Sequence, residues 1–193
     1  YRALSDVRRG VPVAIENEGQ CLLLLSIELV TDDTVQEVEH LGHERPRILI
    51  TEERARVLKI SHHSVFTTLS WPEWIGVDEL IALGDPIKDL ATPLKGPFSP
   101  SAEKMDAPVF QAALQLLKQA QLLPAGVFVT CDPSVLQDQS ILTLQAGAVQ
   151  SFAMAEADQL RPVVHAQLPL QGAEDARVFV FRPKDGGIEH LAI

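Results

Sequence analysis

Apolar positions recur along this chain in two spacings, one typical of strands and one typical of helices. VPVAI and CLLLLSIEL are apolar runs that predict buried strands, and ENEGQ between them predicts a turn. RPRILI, GVFVTC, ILTL and PVVHAQL predict further strands. Helices are predicted over ALSDVRRG, ending at Gly10, over DTVQEVEHL, ending near Gly42, and over TEERARVLKI, where Thr51 can serve as N-cap.

A long, mostly buried helix is predicted after Asp106, because Phe110, Leu114 and Leu117 recur at helical spacing. It leads through a Pro-Ala-Gly turn into GVFVTC, a unit typical of α/β folds. Repeated prolines between 70 and 108 predict loops around a short helix at VDELIAL. VQSFAMAEADQL predicts a late helix.

The end of the chain has the pattern of a β-hairpin, with ARVFVF and IEHLAI on either side of PKDGG. LPLQGAED before it reads as a turn-rich link. We therefore predict an α/β (α+β) fold for residues 1–170, with a mixed sheet flanked by helices, followed by a C-terminal hairpin within 171–193. A hairpin without further sheet partners would be the start of a truncated second domain.

Charge and hydropathy narrow the classes of function. The formal net charge of −10 argues against nucleic-acid partners, which require clustered Lys and Arg. The longest apolar run, residues 21–25, is far shorter than the roughly 20 residues that span a bilayer, so neither a membrane segment nor a signal peptide is predicted. Cys21 and Cys131 lie in apolar, strand-like contexts typical of buried reduced thiols, which suits a cytoplasmic protein.

Several of these segments resemble proteins of riboflavin biosynthesis. ALSDVRRGVPVAI followed by ENEG resembles the opening of 3,4-dihydroxy-2-butanone 4-phosphate synthase, and ILITEERARVLKI and VFQAALQLLKQAQLLPAGV resemble its later segments. EDARVFVFRPKDGGIEHLAI resembles instead the beginning of GTP cyclohydrolase II, and LKGPFSP fits cyclohydrolase chains with an altered synthase-like N-terminal region. The resemblance implies a synthase-like fold for 1–170 and the first hairpin of a cyclohydrolase-like domain for 171–193.

The resemblance implies a site for magnesium and a sugar phosphate in the acidic loop. Glu16, Asn17, Glu18 and Gly19 match the family's loop, and Glu16 would be the magnesium ligand. The acidic and Arg positions that precede the loop in the family are apolar here, and Gln20 replaces its final Asp. Two interpretations stay open, a solvated turn or residual binding of a cation or small phosphate ligand.

Other positions depart further from the family's chemistry. A His-Thr pair at the start of its long helix, whose His binds metal, falls on Val109 and Phe110, and a carboxylate falls on Thr130. Apolar side chains cannot bind a hard cation. No Arg- and Ser-rich phosphate loop is found in 70–100. We therefore assign no catalytic residue.

The histidines and cysteines predict no zinc site. His62 and His63 are adjacent and would point to opposite faces of a strand, while a glycine between His40 and His43 suggests that their helix has ended. The two cysteines have no closely spaced Cys neighbours. Under the resemblance, zinc and GTP hydrolysis would belong to the missing cyclohydrolase domain.

Three functions remain possible. The first is a non-catalytic synthase-like module of a GTP cyclohydrolase II chain, with a structural, dimerisation or regulatory role. The second is an active magnesium-dependent synthase acting on ribulose 5-phosphate, and the third is an unrelated binding module. We expect a cytoplasmic homodimer that binds neither nucleic acid nor membranes.

Overall fold

The computed structural model describes residues 1–61, 64–92, 95–102, 106–136, 140–184 and 188–193. The chain divides into two compact units, Tyr1–Gln150 and Ser151–Ile193. The elements of the described residues are, in chain order, α1 (Arg2–Arg8), β1 (Val13–Asn17), β2 (Gln20–Ser26), α2 (Asp32–Gly42), β3 (Arg47–Thr51), α3 (Glu52–Val57), β4 (Phe66–Ser70), α4 (Val77–Gly84), a 3-10 helix (Pro86–Asp89), α5 (Ala107–Gln119), β5 (Ala125–Thr130), α6 (Pro133–Leu136), β6 (Thr143–Gln145), α7 (Ala146–Asp158), β7 (Leu160–Gln167), β8 (Arg177–Pro183) and β9 (His190–Ala192).

The larger unit is built on a six-stranded sheet in the order β4-β3-β5-β2-β1-β6. Its pairings are antiparallel except for β1 and β6, which run parallel, so the sheet is mixed as predicted. The pairing of β2 with β5 joins segments that are distant along the chain and places both at the centre of the sheet.

Successive residues of β5 point to opposite faces of the sheet, and each face is covered by a helix. Val129 faces α2, where a Cβ on Gly42 would lie 2.6 Å from the Val129 Cβ. Only a residue without a side chain allows the helix this close to the strand. Phe128 points to the other face and contacts Phe110 of α5, with ring centroids 5.2 Å apart.

The predicted helix starts are largely confirmed. Thr31 accepts a hydrogen bond from the Thr34 amide at 3.2 Å, and Thr51 accepts one from the Arg54 amide at 3.2 Å. Asp106 occupies the N-cap position of α5, but its side chain makes no capping bond. Its own amide instead donates to Gln20 Oε1 at 2.7 Å, which ties the helix start to the β1–β2 hairpin.

The smaller unit contains a three-stranded antiparallel sheet, β7-β8-β9. The predicted C-terminal hairpin is present as β8 and β9, although residues 185–187 of its turn lie outside the described residues. His165 stacks on Phe179 across β7 and β8, with ring centroids 5.6 Å apart.

Two features differ from the sequence-based prediction. β4 was not predicted, because the apolar pattern of FTTLS is too weak to indicate a strand without its partner β3. The strand at PVVHAQL, predicted in the main body, pairs with β8 instead. The division into compact units falls inside α7. The domain boundary expected near residue 170 stays a prediction.

None of the described helices combines the length and the apolar character that crossing a lipid bilayer requires.

Candidate functional site

The acidic segment forms a tight β-hairpin turn. Asn17 pairs with Gln20, which leaves Glu18 and Gly19 as a two-residue turn with φ angles of 50° and 80°. Positive φ at both positions is the geometry of a type I′ turn. A Cβ at Gly19 would meet nothing within 4 Å, so the backbone conformation accounts for the glycine and steric crowding does not. Glu18 is exposed at the tip, and Glu16 is half-buried in the strand beside it.

The start of α5 is tied to this hairpin by the hydrogen bond between Asp106 and Gln20, and its apolar side chains belong to the core. Val109 and Phe110, to which the resemblance assigns the family's His-Thr pair, are fully buried. Phe110 packs between Phe66 and Phe128, with ring centroids 5.0 and 5.2 Å away. Neither position offers a donor to a metal or a phosphate.

A carboxylate from another part of the chain binds the end of β5. The amide and the hydroxyl of Thr130 donate to Glu44 Oε1 at 2.7 and 2.6 Å. The same oxygen is ion-paired with Arg47, whose guanidinium lies 5.1 Å from the centre of the Phe128 ring. Glu44 follows the end of α2 in an irregular segment, so no periodic pattern in the sequence could have identified it.

The two cysteines, predicted as separate buried thiols, are in contact at this end of the sheet. Their sulfurs lie 3.4 Å apart, and the Cys131 amide donates to the Cys21 carbonyl at 3.0 Å. Both are free thiols, Cys21 buried and Cys131 half-buried. Contact with Cys131 and then burial raise the pKa of the Cys21 thiol, whereas the same contact lowers the pKa of Cys131.

Of the four histidines considered as metal ligands, the structure describes His40 and His43. His40 lies in the last turn of α2 and His43 is its C-cap, and their rings meet edge-on with centroids 6.1 Å apart. His62 and His63 lie outside the described residues. Within the described part of the chain, no group of three or more His, Cys, Asp or Glu is placed to hold a metal ion.

A second charged cluster, which the sequence did not reveal, joins α3 to the end of α4. Buried Arg54 donates two hydrogen bonds to the Asp89 carboxylate, at 2.6 and 2.8 Å, and a third to the Leu83 carbonyl at 2.7 Å. Lys95 also pairs with Asp89. The Arg54 guanidinium, with help from Lys95, holds the pKa of Asp89 far below its usual range. Arg54 and Lys95 share the Asp89 carboxylate and also donate to the backbone carbonyls of Leu83 and Ala82, so this cluster is a structural clamp.

Comparison with known proteins places these features in a family context. A GTP cyclohydrolase-2 from Azospirillum brasilense is 33% identical over 201 aligned positions, which cover 100% of this chain and 52% of the relative. The chain thus spans about half the length of the curated relative it matches. No family model matches the chain.

Solved structures with a similar fold are 3,4-dihydroxy-2-butanone 4-phosphate synthases. A two-domain synthase from A. baumannii superimposes with a TM-score of 0.64 at 15% identity, covering 99% of this chain and 68% of that one. A synthase in complex with two magnesium ions gives 0.60 at 12% identity, covering 81% and 96%. The fold is that of a 3,4-dihydroxy-2-butanone 4-phosphate synthase-like domain. The synthase from Candida albicans gives 0.54 at 16% identity, covering 79% and 95%.

The predicted resemblance is therefore confirmed at the level of fold and relationship. The chain is similar to a GTP cyclohydrolase-2 along its whole length, and its fold is synthase-like.

Proposed function

We propose that this chain is a non-catalytic, synthase-like module of a GTP cyclohydrolase II-type protein of riboflavin biosynthesis, with a structural, dimerisation or regulatory role. GTP hydrolysis and its zinc ion would belong to a cyclohydrolase domain beyond this chain. The cytoplasm would be its compartment.

The observation that carries the proposal is the apolar core at the start of α5. Val109 and Phe110 have no exposed surface, and Phe110 is enclosed by Phe66 and Phe128. A polar pair at these positions would have to enter a packed aromatic cluster and lose its hydration. Val109 and Phe110 are therefore core residues, and no rotation of their side chains would provide a metal ligand at these positions.

The donors that remain do not fit a magnesium site of the kind the resemblance implies. Magnesium requires near-octahedral oxygen coordination and usually rests on carboxylates and substrate phosphates. Thr130 supplies a hydroxyl where the family has a carboxylate, and it is engaged by Glu44. Glu44 is in turn paired with Arg47. Glu16 and Glu18 are the carboxylates that still match the motif, one in a strand and one at a turn tip.

An assay for formate release from ribulose 5-phosphate and magnesium tests the proposal. We expect no turnover above a protein-free control, whereas the Candida albicans synthase should release formate under the same conditions. Glu16→Gln and Glu18→Gln serve as a matched pair, because the side chains belong to one hairpin and only Glu16 is the implied metal ligand. Turnover that disappears in Glu16→Gln and persists in Glu18→Gln would establish the active synthase instead.

A further inference from the structure

The contact between the two thiols connects neighbouring central strands of the larger unit. Leu22 of β2 is paired with Thr130 of β5, and the next step of the same antiparallel register sets Cys21 opposite Cys131. Directly opposed residues of antiparallel strands bring their Cβ atoms to about 4.5–5.5 Å, at the upper end of or somewhat beyond the roughly 3.5–4.5 Å found in a disulfide. The sulfurs are 3.4 Å apart and would have to approach by about 1.4 Å to reach the bond length of about 2.05 Å.

The two thiols differ in access to solvent. Cys21 is 2% exposed and packs in the core with Leu23 and Leu25, whereas Cys131 lies beyond the end of β5 and is only half-buried. An oxidant can therefore reach Cys131 first. The lowered pKa of Cys131 agrees with this order, because the thiolate is the reactive form of cysteine.

We propose that Cys21 and Cys131 form an oxidisable dithiol, in which Cys131 reacts with a peroxide and Cys21 resolves the product to a disulfide between β2 and β5. The Cys131 thiolate attacks one peroxide oxygen, the O–O bond breaks, and protonation of the leaving oxygen gives water and a sulfenic acid. The Cys21 sulfur then displaces the sulfenic hydroxyl, which leaves as a second water with the Cys21 proton. Two thiols are oxidised and one peroxide is reduced.

The consequence is a covalent link beside the acidic turn. Cys21 is the register partner of Glu16, and Cys131 directly follows Thr130. The bond would close a loop between residues 110 positions apart along the chain, so it should restrict the unfolded chain strongly and raise the melting temperature. The inference does not rest on the proposed function, and its test does not measure activity.

The experiment exposes the reduced chain to hydrogen peroxide, then alkylates it under denaturing conditions and measures its intact mass. The sequence contains only two cysteines, so the result is unambiguous. We expect the oxidised chain to lose the mass of two hydrogen atoms, to accept no alkyl groups, and to recover both thiols on reduction. A monomer that keeps two alkylatable thiols under peroxide, or that gains only oxygen atoms, would overturn the proposal.

Dimedone, which traps sulfenic acids, assigns the two roles. Cys21→Ser should be labelled at Cys131, because no resolving thiol remains, while the wild-type chain should show little label. Cys131→Ser should show none, because its remaining thiol is buried. Equal labelling of wild type and Cys21→Ser would show that no internal disulfide forms and would also contradict the proposal. If Cys21→Ser fails to fold, Cys21→Ala provides the same comparison.

Discussion

At the residue scale, the two positions to which the resemblance assigns a metal-binding pair lie in the apolar core. The offset from the Pro-Ala-Gly turn identified Val109 and Phe110 in the sequence, and it predicted correctly that they belong to a long buried helix. It could not show that Phe66 and Phe128 enclose Phe110, because these contacts depend on how three distant segments pair. The contacts of Thr130 with Glu44 and of Cys21 with Cys131 could not be predicted for the same reason, because the partners are 86 and 110 positions apart along the chain.

Phe110→Ala tests whether the aromatic cluster is part of the core. The substitution would leave a cavity between two rings and should lower the free energy of unfolding by about 3–5 kcal/mol. Urea denaturation followed by circular dichroism measures the loss. Leu90→Ala, at a fully solvent-facing position of the same unit, should change the stability by less than about 0.5 kcal/mol. Similar effects of the two substitutions would contradict the packing at the start of α5.

At the element scale, local signals in the sequence identified most helices. The remaining features depend on contacts between segments that are distant along the chain. Thr31 and Thr51 mark helix starts by a short-range hydrogen bond, so the residues themselves carry the information. β4 is defined instead by its pairing with β3. The amide of Asp106 donates its hydrogen bond to Gln20, which lies in a hairpin far away in the chain. The end of α4 likewise depends on Arg54, which belongs to another helix.

The Arg54–Asp89 pair should make the stability of this region depend on pH. The pKa of Asp89 is lowered in the folded chain, so its contribution is present above the unfolded value of about 3.9 and is lost as the pH falls further towards the folded value. Asp89→Asn should lower the free energy of unfolding at pH 7 by about 2 kcal/mol, because the substitution leaves Arg54 buried with weaker acceptors. Urea titrations at pH 7 and pH 3 should show this difference shrinking at the lower pH.

A matched change elsewhere separates this effect from general acid destabilisation. Glu73 forms an exposed ion pair with Arg45, and Glu73→Gln should cost less than about 1 kcal/mol at either pH. A difference between Asp89→Asn and wild type that stays constant from pH 7 to pH 3 would show that ionisation of Asp89 is not what stabilises the clamp.

At the scale of the whole molecule, the smaller unit leaves apolar side chains in solvent. Val164, Val180 and Leu191 are register partners on one face of β7-β8-β9, and Val164 and Leu191 are 56% and 69% exposed. Contiguous apolar surface of this kind usually marks an interaction site. It supports the homodimer that forms part of the proposed function.

Sedimentation velocity over a range of concentrations tests the dimer. We expect the wild-type chain to sediment as a dimer at high concentration, and Val164→Lys with Leu191→Lys to shift it towards monomer, because two desolvated charges would oppose association. Ile87→Lys makes the same chemical change at an exposed position of the larger unit and should leave the dimer intact. A wild-type chain that stays monomeric at high concentration would rule out the homodimer, and equal dissociation by both sets of substitutions would place the interface away from β7-β8-β9.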